Sequence, residues 1–362
     1  MKYIIDHTER PVYLQIYRQI RDDIIEGVFP YNTKLPSKRL LAAEIGVSTI
    51  TIEHSYSLLC DEGYAEARER SGYFVLFRST DGFASSDAAF VLPKNHKIST
   101  SSYPGFSISI LSKTMRKVLT DYYDVLLDES PNTGCLELRN AIKQYLLRNR
   151  AMHVDVDQIV VGSGAEYLYT LIVDLFGKNK IFAIESPSYE KIEQIYRTAG
   201  VQYESLPLAK DGIDSKALSV SKAHILHTTP YQSFPSGVTA SASKRHEYIK
   251  WAKNADRFII ESDYGSEFSV ASQPMETLYK LSDDDNVIYL NTFSKTISSS
   301  MRVGYMVIPK KLIKTFHEKL GFYSCTVPTF EQYVLTELLN NGDFERHINR
   351  VRRKKRKELY NR

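Results

Sequence analysis

The run Asn291-Thr292-Phe293-Ser294-Lys295, followed by Arg302-Val303-Gly304-Tyr305, sets an amine, two hydroxyls and a guanidinium close together in the chain. A lysine in a mostly apolar pocket has a lowered pKa, so its neutral amine can attack an aldehyde and form a Schiff base. The hydroxyls of Thr292 and Ser294 and the guanidinium of Arg302 can hold a phosphate by charge-assisted hydrogen bonds. The bland alternative is a surface lysine on a polar loop. Just before the run, Asn286-Val287-Ile288-Tyr289-Leu290 is apolar and β-branched, which reads as a buried strand. Lys295 then stands where that strand gives way to a small-residue loop containing Ser298, Ser299 and Ser300.

Other groups stand at the ends of other expected strands. From Tyr103 the chain alternates helical and strand signals, the mark of an α/β domain with a mostly parallel, doubly wound sheet. Leu136 to Arg150 reads as a helix with Leu138, Ile142, Tyr145 and Leu146 on one side. Ile159-Val160-Val161 is a short strand that runs into Gly162-Ser163-Gly164-Ala165 and a helix from Glu166 to Phe176. A glycine-rich turn of this kind exposes backbone N–H groups to a phosphate, though many α/β connections use glycine only to turn. Ile181 to Ile184 leads to Tyr189, which can stack on a flat ring or simply pack. Ala223 to His227 is a further strand, and Phe258-Ile259-Ile260 leads into Glu261-Ser262-Asp263-Tyr264. Ser163 to Ala165, Tyr189, Asp263 with Tyr264, and Lys295 thus all fall at carboxyl ends of expected strands, the edge where such sheets bind ligands.

Composition sets the bounds. The 362 residues suffice for two domains, and 43% hydrophobic with 25% charged residues is ordinary for globular chains. A net charge of +4 is too small to establish nucleic-acid binding, so that case rests on local sequence. Cys60, Cys135 and Cys325 lie far apart without metal or disulfide spacing, which fits a reducing compartment. No apolar run approaches the ~20 residues of a membrane span, and Met1-Lys2-Tyr3-Ile4-Ile5-Asp6 has no signal-peptide plan. The expectation is a cytoplasmic protein.

The first eighty residues have a different plan. Pro11 to Glu26 reads as a helix with Val12, Ile16, Ile20 and Ile24 at four-residue steps, ended by Gly27. Ser37 caps a short helix to Ile45, Gly46-Val47 turns, and Ser48 caps a helix in which Ile52, Tyr56 and Leu59 share a face. Tyr64 to Arg68 and Gly72 to Leu76 are short strands. This order is that of a winged helix-turn-helix, the alternative being a small protein-interaction bundle. In the first reading Ser48, Thr49, Thr51 and His54 reach phosphates or base edges, while Lys38, Arg39, Arg68 and Arg70 contact the DNA backbone. The Ser-, Asp- and Ala-rich stretch from Arg78 to Ser102 reads as a flexible linker. The basic run Arg350 to Lys357 is either a DNA contact or a solvated helix.

Lys34-Leu35-Pro36-Ser37, Arg39-Leu40, Gly46-Val47-Ser48, Asp61-Glu62-Gly63 and Gly72-Tyr73-Phe74-Val75 resemble the GntR-type winged-helix domain. Thr49 stands where that family usually has an arginine. The later set resembles the fold type I pyridoxal-phosphate enzymes of the aspartate aminotransferase class, and the fusion resembles the MocR subgroup of GntR regulators. The resemblance implies domains at 10–78, 79–102 (linker) and 103–362. It implies pyridoxal 5'-phosphate bound on Lys295, with Thr292, Ser294, Arg302 and the Gly164-Ala165 backbone on the phosphate. Tyr189 would flank the ring and Tyr264 would bond its phenolic oxygen. The subgroup's ring-nitrogen aspartate aligns with Ser262, with Asp263 or Glu261 as substitutes. Lys191 stands where one relative has an arginine for a ligand carboxylate, and the chain stops well short of a complete member, before the small C-terminal domain. The implied function is a homodimeric regulator that binds operator DNA and senses an amine, an amino acid or the cofactor itself. A working aminotransferase and a cofactor-free repressor are the competing readings.

Overall fold

The computed structural model describes residues 3–6, 11–69, 71–78, 105–253, 257–270, 275–298 and 300–360. The chain divides into two compact units, Met1–Lys97 and Ile98–Arg362. The expected linker, residues 79–102, lies outside the described residues.

In the first unit, α1 (Val12–Ile25) buries Ile16, Tyr17, Ile20 and Ile24, the face expected from their spacing. Ser37 caps α2 (Lys38–Ile45) by accepting the Leu40 N–H at 3.2 Å, and Gly46 closes it in the left-handed region at φ 77°. Ser48 caps α3 (Thr49–Asp61) through the Thr51 N–H at 3.1 Å. Each serine cap contributes about 1 kcal/mol, and together they fix the turn between α2 and α3. Strands β1 (Ala65–Arg68) and β2 (Gly72–Val75) pair antiparallel, Ala65 with Val75 and Arg68 with Gly72. The core joins Ile16 and Ile20 to Leu41, Ile52, Tyr56, Leu59 and Val75.

The second unit opens with α4 (Ile108–Asp121) and α5 (Leu136–Arg150). Then come β3 (Ile159–Gly162), α6 (Ala165–Phe176), β4 (Phe182–Ser186), α7 (Glu190–Ala199), β5 (Tyr203–Ala209) and β6 (Gly212–Ile213). The chain continues through α8 (Ser215–Val220), β7 (Ile225–Thr228), α9 (Ala242–Lys253), β8 (Phe258–Ser262), α10 (Leu278–Leu281) and β9 (Val287–Thr292). It ends in β10 (Gly304–Val307), α11 (Lys310–Leu320), α12 (Thr329–Asn340) and α13 (Asp343–Tyr360).

The sheet order is β3-β10-β9-β8-β7-β4-β5-β6. Strands β9, β8, β7, β4 and β5 pair in parallel, whereas β10 runs antiparallel between β3 and β9, and β6 antiparallel to β5. This is the mostly parallel α/β sheet that the alternation of signals implies. Its central strands are apolar on both faces because helices cover both. Val161, Tyr289 and Tyr305 face α5 and α12, while Val160, Ile288, Leu290 and Met306 face α6 and α11. The expected strand at Ala223–His227 is shifted to Ile225–Thr228, the residues that pair with β8. The basic run lies on α13, which buries Phe344, Ile348 and Val351 and exposes Arg353 and Lys354. Among the described residues no helix is long and apolar enough to cross a membrane.

Candidate functional site

Turns at the carboxyl ends of β3, β4, β8 and β9 converge on a cleft of about 410 Å³. Lys295 reaches it from the turn after β9. Its side chain runs across Gly265, whose φ of 81° suits glycine and where an added Cβ would stand 2.7 Å from the lysine Cδ and Cε. The Nζ lies 4.3 Å from the Tyr264 ring centroid. Burial pulls the Lys295 pKa below its ordinary value, and the negative charge of Glu267 pulls it partly back. A neutral, nucleophilic amine is therefore easier to form here than on the surface.

The anion-holding groups lie beside it. Thr292 is buried at the end of β9, and its Oγ1 has no hydrogen-bond partner among the described residues. Such an orphan costs on the order of 1–3 kcal/mol, which a ligand oxygen would recover. Ser294 donates its hydroxyl to the Met301 carbonyl at 3.0 Å. Arg302 lies over Gly164, where a Cβ would stand 3.1 Å from Nη2, so the bare glycine (φ 93°) leaves room for the guanidinium beside the start of α6. Ala165, the first residue of α6, lines the cleft. Tyr189 and Tyr264 are 38% and 50% exposed at its mouth, and the Tyr189 ring meets Phe234 edge-on at 6.4 Å. The orphan hydroxyl, the open glycine turn and the desolvated amine fit the phosphate and aldehyde of pyridoxal phosphate.

Strand β8 and the residue after it carry three polar side chains to this region. Successive side chains on a strand alternate faces. Glu261 and Asp263 therefore share a face, and Ser262 takes the other. Asp263 borders the cleft, but its Oδ2 accepts from Arg150 at 2.7 Å and from the Tyr289 hydroxyl at 2.6 Å. Glu261 accepts the Leu278 and Tyr279 N–H groups at 2.8 and 2.9 Å, and burial pushes its pKa up to about 8. Glu261 is thus bound to backbone N–H groups away from the cleft, whereas Asp263 lines the cleft with its Oδ2 held by Arg150 and Tyr289. Ser262 faces the cleft, with its Oγ 2.9 Å from His227 Nε2 and 3.1 Å from the Tyr169 hydroxyl. His227 Nδ1 meets the Tyr196 hydroxyl at 2.7 Å, and burial lowers its pKa to about 3, so the imidazole is neutral.

Sequence reasoning passed over His227, Gly265 and Glu166. Glu166, in the first turn of α6, binds Lys191 through Oε1 and Arg302 through Oε2. Its only signal in the sequence was an acid directly behind a glycine-rich turn.

In the first unit, the candidate DNA contacts gather around α2, α3 and the hairpin. Thr49, Arg39 and His54 are exposed, and His54 meets Tyr13 edge-on at 5.9 Å. Ser48 and Thr51 share a hydrogen bond at 2.8 Å, so both hydroxyls serve the α3 cap. Lys38 pairs with Glu53 at 2.8 Å. Arg68 stacks on Phe74 at 4.2 Å and bonds Glu66 and, at 2.8 Å, Asn32. Arg70 lies outside the described residues.

Residues 12–75 match the family described as Bacterial regulatory proteins, gntR family, and residues 107–362 match Aminotransferase class I and II. The chain belongs to the GntR regulators of MocR architecture. It is 32% identical to the uncharacterized HTH-type transcriptional regulator YdeL of Bacillus subtilis (strain 168), over 96% of this chain and 77% of that one. It is 25% identical to the probable rhizopine catabolism regulatory protein MocR of Rhizobium meliloti, over 95% of this chain and 74% of that one. The pyridoxine biosynthesis regulator PdxR of Corynebacterium glutamicum is 26% identical, over 96% and 77%. Among solved structures, a Pyrococcus horikoshii kynurenine aminotransferase superposes with a TM-score of 0.63 at 25% identity, over 70% of this chain and 66% of that one. An archaeal alanine:glyoxylate aminotransferase does so at 0.62 and 23%, over 68% and 64%. The chain thus spans about three quarters of its curated relatives and about two thirds of these enzymes. A GntR-type head is a DNA-binding unit, and a class I/II domain is of the fold built around pyridoxal phosphate.

Proposed function

We propose that the chain is a pyridoxal-phosphate-holding transcription regulator that senses an amine, an amino acid or the cofactor itself. Residues 10–78 bind operator DNA, 79–102 link, and 103–362 bind the cofactor. The protein works in the cytoplasm as a homodimer, which sets two heads on a two-fold operator. The observation that carries this reading is the cleft itself. A desolvated Lys295 amine, an orphan Thr292 hydroxyl and the Arg302 guanidinium open on one space, in a chain whose other unit is a GntR-type head.

When bound, pyridoxal phosphate supplies an electrophilic aldehyde and a conjugated ring. Lys295 presents the amine to that aldehyde. Thr292, Ser294, Arg302 and the Gly164-Ala165 backbone would hold the phosphate. Tyr189 would flank the ring and Tyr264 would orient its hydroxyl. Ser262, backed by neutral His227, offers the ring a hydroxyl in place of a carboxylate. A hydroxyl there, unlike a carboxylate, would not keep a proton on the ring nitrogen, which would favour binding over turnover. Regulation then requires that the effector bind two conformations with different affinity.

The test is the visible absorption of the full chain with pyridoxal phosphate added, for wild type and Lys295→Ala, with borohydride fixation and mass spectrometry locating the attached mass. Attachment at Lys295 that the variant lacks is the expected result, and no attachment in wild type would overturn the reading. Amino-donor turnover separates regulator from enzyme. Wild type should fall far below the usual ~1–10³ s⁻¹, and Ser262→Asp should raise its rate by at least about tenfold.

A further inference from the structure

Glu166 is the second residue of α6, directly behind the Gly164 turn. Its two carboxylate oxygens divide between two cations, Lys191 Nζ on Oε1 and Arg302 Nη2 on Oε2. Glu166 and Arg302 both line the cleft, and Arg302 lies against Gly164. The guanidinium best placed for a phosphate thus already carries a carboxylate on one nitrogen. Arginine grips phosphate best through two parallel N–H bonds. A phosphate arriving at Arg302 must share that nitrogen with Glu166 or displace it, and its negative charge meets that of Glu166 at close range. Lys191 gives the carboxylate somewhere to stay once it leaves Arg302.

We infer that Glu166 is a specificity-determining residue that competes with the ligand's phosphate for Arg302, so that phosphate binding hands Glu166 over to Lys191. The inference rests on the cofactor reading above. Its consequence is a cleft whose occupancy follows the free concentration of the phosphate-bearing ligand instead of saturating at once. Lys191, already bound to Glu166 Oε1, serves as the receiver of Glu166. The Arg302 and Glu166 side chains are 49% and 31% exposed, so water screens the repulsion and keeps the effect moderate.

The experiment titrates the full chain with pyridoxal phosphate and, separately, with pyridoxal, which has the same aldehyde and ring but no phosphate. Glu166→Gln keeps the shape and removes the charge. It should tighten half-saturation by pyridoxal phosphate about threefold and leave pyridoxal unmoved. Lys191→Met leaves Glu166 with Arg302 alone and should weaken pyridoxal phosphate about threefold. If Glu166 only orients Arg302, both signs reverse, and that result overturns the inference. So does an unchanged half-saturation, or an equal gain for both ligands. Thermal melts check folding, with Glu166→Ala as the second charge-removing variant. A wild type that attaches neither ligand at Lys295 overturns the cofactor reading and this inference with it. Attachment with the wrong ranking overturns the inference alone.

Discussion

Two cation–carboxylate pairs of nearly equal length do opposite things in this molecule. Arg150 and Asp263 meet at 2.7 Å with side chains 4% and 7% exposed, beneath the cleft. Lys38 and Glu53 meet at 2.8 Å with side chains 35% and 53% exposed, on the head. The first pair cannot be traded for water, because each partner would be left charged in a dry interior. The second can, because water and salt already compete for both partners. Distance therefore says little about role, and burial decides. Arg150 and Asp263 thus hold the end of β8 in place, whereas the exposed Lys38 ammonium can exchange Glu53 for another anion. The Glu166–Arg302 pair lies between these limits.

The sharpest break of this comparison is Asp263→Ala. It strips Arg150 and the Tyr289 hydroxyl of a buried acceptor. Losing one partner of a buried pair costs about 3–5 kcal/mol. Urea denaturation followed by Tyr and Trp fluorescence should show a loss of that size, and a loss below about 1 kcal/mol would show that the site admits water.

Acid should act on the large unit through His227. The ordinary imidazole value is 6.5, and burial lowers that of His227 to about 3. Between those values the unfolded chain takes up a proton that the folded chain refuses. His227 thus contributes stability that is full above pH 6.5 and is lost as pH falls toward 3. The slope is on the order of 1 kcal/mol per pH unit. Glu261, raised from 4.5 to about 8, acts in the opposite direction, since its stabilising proton is lost as pH rises through that range. The pH dependence of the difference between wild type and His227→Gln therefore isolates the imidazole. That difference should change by about 2 kcal/mol from pH 6.5 to pH 4.5, and a flat difference would place the imidazole in contact with water.

What could be read from sequence follows the same division. Helix α5 was expected at Leu136–Arg150 and lies there, because an apolar face at helical spacing is a local signal. The caps at Ser37 and Ser48 are equally local. The convergence of the Gly164 turn, Tyr189, Tyr264 and Lys295 followed from one topological rule about strand ends. The place of Asp263 beside Tyr264 was legible, but its bond to Arg150, far away in sequence, was not. The same long-range pairing hid His227 behind Ser262, and Glu166 between Lys191 and Arg302. Side-chain partners across the sheet are not encoded in spacing.

On the head, Arg39→Ala and Thr49→Arg sharpen the other half of the comparison. Arg39 is exposed, so its loss should leave folding within about 0.5 kcal/mol of wild type. Operator affinity should fall instead, and the slope of log affinity against log salt should shrink by about 0.9, one phosphate contact. Thr49→Arg, which restores the family's usual residue at the start of α3, should steepen the slope by about the same amount. Fluorescence anisotropy across a salt series reads both, and unchanged slopes would remove these positions from the phosphate-contacting surface.

The smallest effect belongs to the Lys38–Glu53 pair. A double-mutant cycle of Lys38→Ala and Glu53→Ala should give a coupling of only ~0.2–1 kcal/mol in stability, shrinking further at high salt. In DNA binding the two single variants should diverge. Lys38→Ala removes a cation from the binding face and weakens affinity, while Glu53→Ala frees that cation and strengthens it. Equal and opposite shifts would mean that Glu53 acts on DNA only through Lys38. Weakening by both would mean that Glu53 positions Lys38, and the exposed pair would then resemble the buried one more closely than its exposure implies.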